Sequence, residues 1–254
     1  MSGAALVTGG GTGIGAGVAR RLARDGYRVC VSGRRREPIE AVAEEIGGLA
    51  VAADTADEDD VARLVATTVE ELGSLEALVC NAGVSAGGTV LEQTLERWNH
   101  VVSTNLTGAF LACRVALPYL LETRGAIVTI SSLGGLRAAP ASAAYGASKA
   151  GLIMLTQCIA VDHGPQGVRA NCVCPGWIRT PMADATMDRL GGDREAAYVR
   201  VNDTNPLRRP GLPEEAAAAV AWLVGPEAAY VNGAVISVDG GAGALDVASL
   251  DLVS

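Results

Sequence analysis

Seven short apolar runs alternating with segments of helical periodicity constrain this chain more than any other feature. The runs fall at 4–8, 28–32, 49–53, 77–80, 126–131, 169–173 and 234–238, and most are continuous rather than alternating. Continuity implies that both faces of each strand are covered, because a strand with one face in water alternates apolar and polar side chains. Helical patterns occupy 14–24, 38–46, 58–72, 95–120, 144–163 and 213–223. Strand–helix–strand repetition predicts an α/β fold, a parallel sheet with right-handed crossovers and helices on both faces. Gly26, Gly47-Gly48 and Gly73 follow the first three helices, where a left-handed C-cap suits a residue without a Cβ. No repeat, low-complexity linker or domain boundary interrupts the pattern, so residues 1–254 read as a single domain. The stretch 178–210 carries no strand signal and is expected to cover or line a site. The tail 242–254 is expected either to pack on a neighbour or to stay loose.

Composition narrows the class. With 49% apolar and 19% charged residues, the 254-residue chain can bury a core and is not expected to be disordered. A net charge of −8 argues against a nucleic-acid partner, which would need a basic surface. Met1-Ser2-Gly3 leads into an apolar run with no basic region, and no uninterrupted apolar stretch reaches membrane-spanning length. The expectation is a cytoplasmic protein without a membrane partner. Cys30, Cys80, Cys172 and Cys174 lie in or beside strands, Cys113 and Cys158 in helices, and all six are expected to be reduced and buried. Cys172-Val173-Cys174 resembles a metal pair, but strand residues two apart simply share a face and no His accompanies them, so no metal is expected.

Two motifs carry chemistry. The first is the turn Thr8-Gly9-Gly10-Gly11-Thr12-Gly13-Ile14-Gly15, between the first strand and the first helix. Glycines let backbone approach a pyrophosphate, and a helix N-terminus offers free N–H groups and a positive dipole end. The second is Tyr145-Gly146-Ala147-Ser148-Lys149, with Ser132 thirteen residues upstream. A Tyr and a Lys four apart share a helix face, so an ammonium can stabilise a phenolate whose ordinary pKa of about 10 is too high for a base at neutral pH. Ser132 can hold a substrate oxygen against that phenol, with Ser131 as the rival hydroxyl. Adjacent strand residues point to opposite faces, so only one of the two can do so.

These motifs, with Asn81-Ala82-Gly83, Asn105 and Pro175-Gly176, resemble the short-chain dehydrogenase/reductase family in its compact, 3-oxoacyl-reductase-like form, from Thr8 to Gly241. The resemblance implies a Rossmann-like doubly wound sheet of about seven strands with the nicotinamide at its C-terminal edge. It implies an oxidoreductase moving hydride between a nicotinamide cofactor and a carbonyl or secondary alcohol. Tyr145 is then the acid in reduction and the base in oxidation. Lys149 lowers the phenol pKa and binds the ribose, Ser132 polarises the carbonyl, and Asn105 holds a water in the proton relay. The cofactor contacts it implies are Thr8, Gly9, Gly11, Thr12, Gly13, Ile14, Gly15, Asp54, Thr55, Asn81, Ala82, Gly83, Tyr145, Lys149, Pro175, Gly176, Ile178 and Thr180. Asn81 is expected over the adenosine side and Asp54-Thr55 by the adenine. Cys80 stands where the family often has Asn and is expected to be a packing variation. A regulator that kept the fold and lost the chemistry is the other class, disfavoured because phosphate turn, Ser, Tyr and Lys all remain.

Cofactor choice turns on Gly33-Arg34-Arg35 at the end of the second strand. An Asp there would bind both ribose hydroxyls and repel a 2′-phosphate, whereas Gly opens space and a guanidinium pairs with phosphate. NADP(H) is favoured through Arg34 and Arg35; the alternative is NAD(H), with Arg34 stacking on adenine. Expected pocket walls are Ser85, Ala86, 133–136, Ala139, Trp177 and 178–210, with Met182 and Met187 as candidates for an apolar lid or for plain helix packing. Arg137, Arg179 and Arg194 lie near the site in sequence or face solvent, and His100 and His163 are expected to be structural or exposed. Related enzymes pair two long helices across a dyad, and 106–121 and 150–160 are rich enough in small residues to do so. A homo-oligomer, dimer or tetramer, is therefore the expectation, with sheet-covering in a monomer as the alternative.

Overall fold

The computed structural model describes residues 3–246. Its strands are β1 (Ala4–Thr8), β2 (Arg28–Gly33), β3 (Leu49–Ala52), β4 (Ala77–Cys80), β5 (Ala126–Ile130), β6 (Arg169–Pro175) and β7 (Val235–Val238). They form one parallel sheet in the order β3-β2-β1-β4-β5-β6-β7. The order reverses between β1 and β4, which opens a crevice at their C-terminal ends. The helices are α1 (Gly13–Arg24), α2 (Arg36–Ile46), α3 (Glu58–Leu72), α4 (Leu95–Val102), α5 (Gly108–Thr123), α6 (Leu133–Leu136), α7 (Ala143–His163), α8 (Pro181–Arg189), α9 (Arg194–Val201) and α10 (Pro213–Val224).

Strand alternation divides the core in two. Leu6, Leu78 and Ile127 pack with Leu64, Leu111 and Leu152 of α3, α5 and α7. Val7, Val79 and Val128 pack with Val18, Leu22 and Val220 of α1 and α10. Both faces are therefore covered, as the continuous apolar runs require. Helix ends follow local chemistry. Asp57 caps α3 by accepting from Asp60 N at 2.9 Å, three acidic residues fill its first turn, and Gly73 ends it at φ 76°. Gly26 and Gly47 are likewise left-handed, at φ 94° and 63°.

The helix expected over 95–120 runs on through a π turn: Ser103–Thr107, with Gly108 N donating to Ser103 O, carries α4 into α5. The extra residue is absorbed because the buried Asn105 carboxamide bonds to the chain leaving β4 instead of lying idle on a helix face. The segment 178–210 holds two helices, α8 and α9, around a small core of Ala183, Met187, Ala197 and Tyr198. Met187 is thus packing, fully buried, while Met182 is 43% exposed. Cys158 is exposed, unlike the other five thiols, because α7 leaves one face uncovered. The continuous stretch Leu95–Thr123 has the length and hydropathy of a membrane span, yet half of that window is buried inside the fold. Most of the tail, 247–254, lies outside the described residues.

Candidate active site

The glycine turn leaves β1 at the crevice. Gly9 and Gly13 adopt φ 63° and 54°, and a Cβ on Gly15 would stand 2.3 Å from Gly9 O and 2.4 Å from Asn81 Nδ2. Only glycine fits such a turn. Thr12, in extended backbone before α1, makes no side-chain cap, so the first N–H groups of α1 face the turn without a side-chain acceptor. Such a cradle fits a pyrophosphate. Thr8 and Asn81 build it from behind. Thr8 Oγ1 accepts from Asn81 N at 3.1 Å and Ala82 N at 3.2 Å, while Asn81 Nδ2 donates to Thr8 O and Gly9 O at 3.0 and 2.9 Å. The Thr8 hydroxyl and the Asn81 amide N–H groups are thus engaged with the scaffold. Cys80 packs in the core with its Sγ 3.8 Å from Cys113 Sγ, which accounts for a small apolar residue there.

The C-terminal ends of neighbouring strands complete the rim. Arg34, after β2, stands across from Asp54, after β3, at 4.0 Å, with both side chains about half exposed. Thr55 is buried beside Gly108, and a Cβ on that glycine would meet Thr55 O at 2.8 Å. Pro175 ends β6 and Gly176 turns out of the sheet against Asp239, where a Cβ would meet Asp239 Cα at 2.9 Å. Ile178 bridges to Gly211, and Thr180 caps α8 by accepting from Ala183 N at 3.2 Å. A Cβ on Gly13 would touch Thr180 Cγ2 at 3.0 Å, so the start of α8 lies directly on the glycine turn.

Ser132, Tyr145 and Lys149 meet below that rim. Alternation along β5 points Thr129 and Ser131 toward α7, where Thr129 Oγ1 bonds Thr156 Oγ1 at 2.7 Å and Ser131 Oγ donates to Lys149 O at 2.8 Å. Ser131 is therefore committed to holding α7. Ser132 faces the other way and accepts from Gly134 N at 3.1 Å; its Oγ and the edge of the Tyr145 ring each lie 3.5 Å from where a Cβ on Gly134 would be, so the hydroxyl stands beside the ring. Lys149 is buried and donates to Ile130 O at 2.7 Å, with Nζ 5.8 Å from the Tyr145 ring centroid. Burial holds its ammonium down to about 8, against a small upward pull from Cys172 and Cys174.

The phenol differs from the expectation. Burial raises the Tyr145 pKa above its ordinary value, opposed by the neighbouring Ser132 hydroxyl, while the Lys149 ammonium bonds to Ile130 O. Asn105, fully buried, accepts from Val84 N at 2.8 Å through Oδ1 and donates through Nδ2 to Val84 O at 3.0 Å and Ser148 Oγ at 3.1 Å. Gly83 fills the gap beside it: a Cβ there would lie 3.4 Å from Asn105 Oδ1 and 3.5 Å from Lys149 Nζ. Cys172 and Cys174 share a face of β6, 4.0 Å apart, and among the described residues no group of three or more His, Cys, Asp or Glu is arranged for a metal.

A cleft of about 300 Å³ opens between α6, the loop after it and the start of α7, lined by Gly134, Leu136, Arg137, Ala139 and Ser142 among others. Of the expected walls, 134–136 and Ala139 line it, whereas Ser85, Ala86, Leu133, Trp177 and 178–210 do not. Arg179 and Arg194, which the sequence leaves ambiguous, brace the lid: Arg179 lies 4.4 Å over the Tyr198 ring and pairs with Glu195, and Arg194 pairs with Asp188 and Asp184. Reasoning from sequence missed Ser148 and Tyr198. Spacing along α7 places Ser148 one turn after Tyr145, but its contact with Asn105 is tertiary and leaves no local signal.

Comparison with known proteins agrees with this arrangement. A family model described as Enoyl-(Acyl carrier protein) reductase matches residues 9–243. Protein MoaE of Klebsiella aerogenes is 39% identical over 98% of this chain and 99% of its own, and meso-2,3-butanediol dehydrogenase of Serratia marcescens is 35% identical over 95% and 94%. The crystal structure of a single-substitution variant of actinorhodin polyketide ketoreductase with NADPH superposes with a TM-score of 0.92 at 36% identity, covering 96% of this chain and 98% of that one. The chain belongs to the short-chain dehydrogenase/reductase family, in its compact 3-oxoacyl-reductase-like form, and is a nicotinamide-dependent oxidoreductase acting on CH–OH and C=O groups.

Proposed function

We propose that this protein is an NADP(H)-dependent ketoreductase in which Tyr145 protonates the oxygen of a small-molecule carbonyl, Ser132 orients and polarises that oxygen, Lys149 holds the ribose side of the cofactor, and Asn105 anchors the proton route. The observation that carries the reading is the Ser132 hydroxyl beside the Tyr145 ring, both 3.5 Å from where a Cβ on Gly134 would be, with the buried Lys149 ammonium 5.8 Å from that ring's centroid. The cofactor, when bound, supplies the hydride; everything else is positioning by this chain's own groups.

Thr12 and Gly13–Gly15 take the pyrophosphate, and Asp54, Thr55 and Ala82 line the adenosine side. Pro175, Gly176, Ile178 and Thr180 close over the nicotinamide. Arg34 and Arg35 pair with the 2′-phosphate, for which Gly33 leaves room; the exposure of Arg34 and its loose 4.0 Å contact with Asp54 leave the guanidinium available. Residues 1–254 act as one dinucleotide-binding catalytic domain with a substrate lid over 178–210. We place it in the cytoplasm on its six free thiols, and as a homo-oligomer on the apolar residues that α5 and α7 leave in the open, Phe110, Met154 and Val161, 43%, 59% and 74% exposed.

The test is a panel of ketones followed by NADPH oxidation: a 3-oxoacyl thioester, a vicinal diketone, a cyclic ketone and an aldose, with size in solution read by light scattering. Tyr145→Phe should lose about 10²–10⁴-fold in kcat while binding NADPH as the parent does. Near-parental turnover in that variant overturns the mechanism, and a higher kcat/KM with NADH than with NADPH overturns the cofactor assignment.

A further inference from the structure

Ser148 sits inside the Tyr145–Lys149 segment with no part in the chemistry above, and it is 1% exposed. Its hydroxyl donates to Tyr145 O at 2.8 Å and accepts from Asn105 Nδ2 at 3.1 Å. A serine bonding back to the preceding turn of its own helix is commonplace. Here the same oxygen also receives a second element, the π turn. Asn105 spends its remaining capacity on Val84, so both of its N–H donors and its carbonyl oxygen are engaged. One hydroxyl thus closes a chain from the loop after β4, through the π turn, to the first turns of α7. The Lys149 ammonium and the Asn105 oxygen both lie on the side of Gly83 where a Cβ would be, at 3.5 and 3.4 Å from it. Rotation of the Asn105 carboxamide would release Val84 N and O and so free the loop against which the ammonium sits.

We infer that Ser148 is a positioning residue of the proton-transfer site: its hydroxyl fixes the Asn105 carboxamide, and through it keeps the Gly83-Val84 loop and the π turn in register with Lys149. A hydroxyl suits the place because it donates and accepts at once; an alanine would leave a buried Asn105 N–H unpaired. The inference rests on the roles given above to Tyr145, Lys149 and Asn105, and acts entirely through Asn105.

The test uses the full chain as Ser148→Ala, Asn105→Ala and the double variant, with NADPH and the best ketone of the panel. Hydrogen–deuterium exchange over 83–86 and 103–108 is measured on the same proteins and needs no turnover. Ser148→Ala should lower kcat about tenfold with both KM values within about twofold, since geometry rather than binding is lost. It should also speed exchange in those two segments. The double variant should lose no more than Asn105→Ala alone, because the contact from Ser148 to Asn105 is already absent there. Parental kcat and exchange in Ser148→Ala, or losses that simply add, overturn the inference. If Asn105→Ala itself turns over at the parental rate, the role of Asn105 fails and the inference fails with it. If Asn105→Ala is slow and Ser148→Ala is not, only the inference fails.

Discussion

Lys149 carries a stability cost that can be read as a slope against pH. Burial holds its ammonium at about 8 against an ordinary 10.5. At roughly 1.36 kcal/mol per pH unit, keeping it charged at neutral pH costs the folded state about 3 kcal/mol. Between these two values the unfolded chain holds a proton that the folded chain has released, so stability from this group rises with pH. From pH 7 to pH 9.5 the gain integrates to about 2 kcal/mol. Lys149→Met keeps the length of the stem without the charge and should lack this gain. The two proteins, without cofactor, are unfolded in urea at matched concentration at several values across that window, and their difference in free energy is plotted. Groups common to both cancel in that difference. At pH 7 the variant also loses the 2.7 Å bond to Ile130 O, worth about 1–3 kcal/mol, so the absolute difference there is small while the slope is not. The parent should gain on the variant by about 2 kcal/mol as pH rises. A difference independent of pH, or one moving the other way, would mean that Lys149 titrates normally and is not desolvated as described.

Three further outcomes are expected. Gly15→Ala would press a methyl to within 2.3 Å of Gly9 O; a loss of about 1–3 kcal/mol by thermal unfolding and a loss of NADPH binding by fluorescence titration should follow, and an unchanged Tm would refute the turn geometry. Tyr198→Phe removes the 2.8 Å donor to Asp184 and should loosen the lid by about 1–2 kcal/mol, read as faster limited proteolysis within 181–201; equal cleavage rates would count against the lid core. Arg34→Glu should lower the NADPH-to-NADH ratio of kcat/KM by at least about tenfold, and an unaltered ratio removes Arg34 from phosphate recognition.

Much of the fold was legible because its signals are local. The seven strands fall where continuous apolar runs stand, and glycines mark the left-handed turns after the first three helices. The site was legible as far as spacing reaches: Tyr145 and Lys149 share a helix, and strand alternation separates Ser132 from Ser131. Spacing did not reveal the π turn, since a sequence of helix-forming residues reads the same whether or not a carboxamide from its middle is drawn away to Val84. Nor did it reveal the lid helices, whose four-residue core is too small to show as a periodic stripe.

The α/β order and the glycine turn are written in the residue order alone, because periodicity and backbone sterics act over a few residues; the roles proposed for Tyr145, Ser132 and Lys149 come from the resemblance to the family. Where the Lys149 charge points, and which way burial moves the phenol, emerged only once the chain was folded. So did the commitment of Thr8, Asn81 and Ser131 to the scaffold. Those outcomes depend on which carbonyl or hydroxyl a distant segment brings within about 3 Å, and on how much water it displaces.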